Sequence, residues 1–444
     1  MTPSVPGGRA RLDLLAPPMA GHLHPILGLG QALARDYDVR VLSSEGAQRE
    51  IAAAGLIGRV LLPGRDAEVR AIVEPAHAVG SHPLRLHRQL RANLGLLGAL
   101  QDDLRRVWRD DGPPALALAD FTLPVVGAVA REFAVPWWTT HPSPCVIETP
   151  DGPPAYLGGW SPGHGVAARL RDAIGRATVR VAKRTAHRLH RPTMRALGLD
   201  AMYRSDGSET VYSPDRIFAL GLEALEFPRR WPAAVEFVGP VRYTPPGLAP
   251  PPPFVAGRRH VLVTIGTHLP WMKDTMAAAA EAMARALPDV EVHFSDGRVE
   301  QVPHARTAGP RGADGGRARA PNFHRLAYVS YARDLPRYAL VVHHGGAGVM
   351  YHTLAAGLPA LVLPLDYDQF DHAARLDAAG VARRLREPGL LTTAVHAALD
   401  DAALHAASRR FVATLAASDA PAAVAARVRE RLVTSARPAM RPVR

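Results

Sequence analysis

One cysteine and two lysines in a chain of 444 residues are both informative shortages. Cys145 has no second thiol with which to form an intramolecular disulfide, and alone it cannot build a cysteine-based zinc site. With lysine confined to Lys183 and Lys273, the 53 basic residues are almost all arginine; against 41 acidic ones they leave a net charge of +12. The chain is also rich in Ala, Gly and Pro, so the arginine reads as the codon bias of a GC-rich genome. No zinc-finger or RNA-recognition signature accompanies it, and no nucleic-acid partner is expected. Nor does any run approach the ~18 consecutive apolar residues that cross a bilayer. The first nine residues are Pro- and Gly-rich without the apolar core of a signal peptide, which makes the cytoplasm the expected location.

What remains is an ordinary globular mixture, 47% hydrophobic and 21% charged, long enough for two domains. Short apolar runs alternate with longer helical patterns, the rhythm of parallel strands joined by helical crossovers. The first half predicts strands at 12–16, 39–43, 116–119 and 137–140, with helices at 25–35, 83–108 and 124–133. The rhythm restarts with strands at 261–265, 290–294, 340–343 and 360–363, and helices at 272–287, 349–356 and 370–379. Between the two series, the proline run 245–253 reads as an extended linker. The expected fold class is therefore α/β, two doubly wound Rossmann-like domains facing a cleft. A disordered start (1–10) precedes a first domain (11–240), a linker (241–257) and a second domain (258–415). A helix and tail (416–444) are expected to pack back toward the first domain. Residues 304–321, rich in Gly and Arg, read as a flexible surface loop.

Residues 165–195 differ in character. Val166, Leu170, Ile174, Ala177 and Val181 recur at helical spacing among Arg169, Arg171, Arg176, Arg180, Arg184, Arg188, Arg191 and Arg195. The first reading is a helix packed on the first domain with its arginines in water and no membrane contact. The second is a surface for an acidic acceptor or an anionic membrane.

The segment richest in chemistry runs from Val341 through His343, His344, Gly345, Gly346, Ala347 and Gly348 to Val349. It is a strand that enters a glycine turn and opens a helix. Glycines there let the backbone approach a phosphate, while the helix start offers free N–H groups and the positive end of a dipole. A histidine just before the glycines can donate to a phosphate oxygen. Such a turn alone is weak, but more follows in order. Asp366, Tyr367, Asp368 and Gln369 end the next strand, where a carboxylate beside a carboxamide can hold adjacent sugar hydroxyls. Tyr328 lies upstream, where an aromatic face can stack a base. Gly266 and Thr267 end an earlier strand.

In that order and spacing the chain resembles the family 1 glycosyltransferases of the GT-B fold. His343–Gly348 has the HHGGAG form of the bacterial natural-product branch. The resemblance implies that His344 contacts the pyrophosphate, with the backbone of Gly345, Gly346, Gly348 and Val349 around it. It also implies Tyr328 stacked on the base, Val329 bonding it through its backbone, Thr267 by the phosphates, and Asp368 and Gln369 on the sugar. This chain departs from the family where Tyr328 replaces Trp or Phe, and where Gly348-Val349 replaces the plant Asn-Ser. His352 stands where many relatives carry a ribose-binding Glu, so the choice between uridine and thymidine stays open.

At the other end of the cleft, Gly21-His22-Leu23-His24-Pro25 follows the first strand. Transfer with inversion needs a base for the acceptor's proton. A histidine suits, with a buried carboxylate to fix its tautomer and stabilise the imidazolium. Asp120 ends the run 115–119 and should emerge at the same edge. The resemblance points to the same pair, His22 as base and Asp120 as its partner; His24, just before Pro25, reads as a residue of the helix start. Trp137, Trp138 and His141 are expected near the acceptor. The expected activity is a metal-independent, inverting hexosyl transfer from a nucleotide diphosphate sugar, the co-substrate, to a small-molecule acceptor, with no cofactor and as a monomer or homodimer. An epimerase or hydrolase on the same architecture and a lipid-acceptor transferase at a membrane are the alternatives.

Overall fold

The computed structural model describes residues 9–80, 82–246, 249–298 and 319–436. Two parallel sheets carry it. The first contains β1 (Arg11–Leu15), β2 (Asp38–Ser43), β3 (Ile57–Val60), β4 (Leu116–Asp120), β5 (Trp137–His141), β6 (Ile217–Ala219) and β7 (Val235–Phe237), in the order β3-β2-β1-β4-β5-β6-β7. The second contains β8 (Arg259–Thr264), β9 (Val290–Ser295), β10 (Phe323–Leu326), β11 (Leu340–His343), β12 (Ala360–Val362) and β13 (Ala382–Arg384), in the order β10-β9-β8-β11-β12-β13. Each order runs outward from its first strand one way and then the other. That is double winding, and it leaves a crevice at the carboxyl ends beside β1 and beside β8. The central strands β4 and β11 are buried along their whole length because helices cover both faces, and their polar residues, Asp120 and His343, come last.

The helices that frame the site are α1 (Ala20–Leu33), α2 (Pro83–Asp110) and α3 (Gly165–Leu189) in the first half. In the second half they are α4 (Pro270–Ala286), α5 (Ala347–Ala355), α6 (Gln369–Ala378) and α7 (Ala402–Ala416). The last, α8 (Ala420–Ala436), crosses back to the first sheet, where Ala420, Val424 and Val428 join a core with Leu23, Ile26 and Leu27 of α1. The stretch Ala402–Thr434 reaches a mean hydropathy of 1.2, but it is split between α7, which packs on α5, and α8, which packs on α1.

The differences from the sequence reading are local. α1 begins at Ala20, five residues before the expected start, and holds Pro25 inside it. Pro25 has no N–H to give the Gly21 carbonyl one turn back, so α1 forgoes that hydrogen bond close to its start. α5 begins at Ala347 instead of 349. Strands β3, β6, β7, β10 and β13, of three or four residues each, are additional to those the sequence predicts. Most of the expected loop 304–321, the first eight residues and the tail beyond 436 lie outside the described residues. The apolar stripe of α3 does not pack on the first domain: Val166, Leu170, Ile174 and Val181 face solvent.

Candidate functional site

His22 lies in the first turn of α1 and Asp120 is the last residue of β4, the strand beside β1 at the crevice. The Nδ1 of His22 stands 3.0 Å from both carboxylate oxygens of Asp120. Asp120 is buried and also accepts from the Thr122 amide at 3.0 Å and the Thr122 hydroxyl at 2.5 Å. Burial alone lowers the His22 pKa, but the charge and hydrogen bond of Asp120, with Asp368 beyond, outweigh it, and the net shift is upward. Burial likewise pushes Asp120 up, and the His22 interaction and Thr122 bonds pull it below its ordinary value. The proton on Nδ1 thus faces the carboxylate, leaving Nε2 as the ring's basic atom. His24 takes no part in this: its Nε2 bonds Glu50 at 2.5 Å.

Between the carboxyl ends of the two sheets lies a cavity of about 150 Å³. The second half contributes Gly266, Thr267, His268, Tyr328, Tyr331, His344, Gly346, Gly348, Val349 and His352; the first half contributes Gly21, His24, Pro142 and Tyr243. His344 is seated between two glycines. A Cβ on Gly266 would stand 2.6 Å from its ring, and one on Gly346 2.5 Å. Among the described residues its Nδ1 is buried without a partner, as are both ring nitrogens of His268. Burial holds His344 at a pKa of about 3 and His268 at about 4, so both rings are neutral and each has an N–H to donate. α5 opens at this wall with Gly346 as its cap. Among the described residues no lysine or arginine lines the cavity; the charge of an anion there would be met by a helix start and imidazole N–H groups.

Not every expected residue reaches that wall. Gly345, at φ +96°, faces away and gives its carbonyl to His372 Nδ1 at 2.7 Å. Val329 is fully buried core. Gln369 uses its side-chain oxygen to accept from the amides of Leu365 (2.9 Å) and Asp366 (3.1 Å), bracing the turn before α6. His352 lines the cavity beside Tyr331, with rings 5.8 Å apart; burial lowers its pKa to about 4.

A second cavity, of about 520 Å³, adjoins His22 on the first-domain side. Its wall is mostly apolar: Leu90, Leu94, Leu97 and Leu100 of α2, with Leu61, Leu62, Val69, Phe121 and Tyr212. Asp368 and Tyr367 close it from the second half. Leu62, Tyr156 and Tyr367, all in its wall, are left-handed without being glycine, strain of a kind that gathers at functional sites. The expected acceptor residues are elsewhere. Trp137 and Trp138 are core, on opposite faces of β5, the latter edge-on to Phe218 at 5.5 Å. His141 lies behind Phe121, stacked at 3.9 Å. β5 is buried on both faces, and neither tryptophan lines either cavity. The sequence reading also passed over His268, Tyr331 and Tyr243. His268 directly follows Thr267 in the strand-end turn, which was signal enough to include it.

Comparison with known proteins bears on this arrangement. Residues 312–431 match the model of the erythromycin biosynthesis protein CIII-like C-terminal domain. The chain is 26% identical to 4'-demethylrebeccamycin synthase of Lentzea aerocolonigenes, covering 93% of this chain and 97% of that protein. It is 28% identical to L-demethylnoviosyl transferase of Streptomyces niveus, covering 94% and 96%. Among solved structures, the glycotransferase of kitacinnamycin superposes with a TM-score of 0.71 at 19% identity, covering 96% and 99%. The Streptomyces sp. SF2575 glycosyltransferase SsfS6 complexed with thymidine diphosphate gives 0.62 at 17%, covering 95% and 99%.

Proposed function

Because the chain belongs to the family 1 glycosyltransferases of the GT-B fold, in their bacterial natural-product branch, we propose that it moves a hexose, with inversion, from a nucleoside diphosphate to a hydroxyl of a small, largely apolar acceptor. The observation that carries this is the place of the His22–Asp120 pair. His22 borders the apolar cavity, and Gly21 beside it borders the cavity with unpaired imidazoles and a helix start. The acceptor fills the first space and the diphosphate the second. His22 Nε2 takes the hydroxyl proton as that oxygen attacks the anomeric carbon, and Asp120 stabilises the imidazolium. The bond to the diphosphate oxygen breaks as the new one forms, so a single displacement inverts the centre. Asp368, which shares the wall with His22, is placed to meet the sugar. His268 and His344, with the start of α5, meet the charge that gathers on the departing diphosphate.

The reading is metal-independent and needs no cofactor. Its support is chemical, since neutral N–H donors and a helix start face the diphosphate site and can meet its charge. Mass spectrometry of reactions with uridine and thymidine diphosphate sugars, with and without a panel of polyketide-like acceptors, tests it, with NMR coupling constants reading the anomeric configuration of the product. We expect a glycosylated acceptor of inverted anomeric configuration, formed equally well in chelator. Sugar release or epimerisation without acceptor, or activity that returns only with a divalent ion, would refute it.

A further inference from the structure

α3 is built inside out. Toward the first domain it turns Asp172, Gly175, Lys183 and His187, which are polar or small. His187 Nε2 bonds the Leu199 carbonyl at 2.9 Å, and Lys183 bridges Glu148 and Glu209 at 2.7 Å each. Gly175 fits against Pro154 and Trp160, where a Cβ would collide with both. Toward solvent it turns Val166, Leu170, Ile174, Val181 and Leu189, between 58% and 73% exposed. Steps of four, four and seven residues put the first four on one stripe, roughly 22 Å long at the helical rise. Single exposed apolar residues are normal, but a stripe along one helix, on the side its own fold does not need, calls for an occupant.

The charges say which. The helix carries six arginines and one lysine against one acid. Arg171 is taken by Asp172 and Arg180 by Glu148. Arg169, Arg188 and Arg191, all exposed, make no ion pair among the described residues. A second copy on this face would bring an equally cationic helix against the first, in a chain already at +12. Lipid phosphates suit both features, since the stripe can enter the acyl boundary while the arginines stay among anionic headgroups. We propose that the outward face of α3 docks on an anionic lipid surface and lies in its plane. The loop leading into α3 carries Tyr156, a wall residue of the apolar cavity, so docking brings that wall toward a phase in which apolar compounds concentrate.

The test is co-sedimentation of the full chain with vesicles of phosphatidylcholine mixed with phosphatidylglycerol, against vesicles of phosphatidylcholine alone. Two triple variants accompany it, Leu170→Gln/Ile174→Gln/Val181→Gln and Arg169→Gln/Arg188→Gln/Arg191→Gln. All six positions are exposed, and unchanged thermal unfolding checks that both variants fold. The wild type should pellet with anionic vesicles and not with neutral ones, less so as salt rises. Each arginine at such a surface contributes about fivefold, so the arginine variant should bind roughly a hundredfold more weakly, and the apolar variant at least tenfold. A wild type that stays in the supernatant overturns the proposal, as do variants that pellet equally. So does a dimer in sedimentation velocity that the apolar variant dissolves, since the face would then belong to a second copy. None of these readouts uses sugar transfer, so docking and the proposed reaction fail separately.

Discussion

At the scale of residues, the His22–Asp120 pair makes the sharpest demands. His22→Ala should keep the fold and lower turnover about 10²–10⁴-fold, the usual worth of a positioned base. The pH profile adds a signed test. His22 must be neutral to accept a proton, so kcat/KM should fall as pH drops through a pKa above the ordinary 6.5. Asp120→Asn removes the carboxylate that raises this pKa while leaving the burial that lowers it, so the midpoint should move to lower pH as the rate falls; an unmoved midpoint would show another group titrating. His268→Ala should weaken binding of a nucleoside diphosphate in calorimetry while leaving the bare nucleoside unaffected, because its ring, without a partner among the described residues, lines the cavity at the start of α5. Equal losses for both ligands would place it at the base instead. His22 and Asp120 were legible because strand-end position fixes where a side chain emerges. Trp137 and Trp138 misled because they open β5, at the end of the sheet away from the cleft, and both are buried in the core there.

Elements show the same division. The central strands, even β12 with three residues, lie in apolar runs bounded by turn signals and can be read, whereas β7 and β13, equally short, mix charged residues into theirs. α3 is the instructive failure. Its apolar spacing correctly marked a helix, but the assumption that an apolar face must be an inward face gave the wrong orientation. The polar side of α3 is the one with partners, and no period reveals that Glu148 and Glu209 will be there to meet Lys183. α8 is open to a direct test. Val424 is fully buried between α8 and α1, so Val424→Ala should cost about 2 kcal/mol from two lost methyl groups and the space they leave. Thermal unfolding should show the loss, and activity should suffer with it because α1 holds His22.

At the scale of the whole molecule, the two halves are tied across the cleft. Asp366 accepts from the amides of Val79 (2.8 Å) and Gly80 (2.6 Å), and Asp371 from that of Tyr156 (2.9 Å). Glu226 of the first half, buried, receives Arg229 at 2.9 Å and Arg375 of α6 at 2.6 Å. Burial, with Arg375 nearby, brings Arg229 down to a pKa of about 10 even though the carboxylate opposes it. Glu226→Gln leaves two guanidiniums facing each other without their anion, and denaturant titration should show a loss of about 3–5 kcal/mol. A loss within the range of a surface substitution would mean that the cleft had opened to admit water. The return of α8 to the first sheet reaches beyond stability into time. α1 leaves the ribosome long before α8, yet they share one core. The first sheet's side of the molecule therefore waits for a segment that follows the whole second sheet, and the helix bearing His22 stays uncovered on that face until α8 emerges. A nascent chain would form its donor-side walls before the helix that carries its base is fully packed.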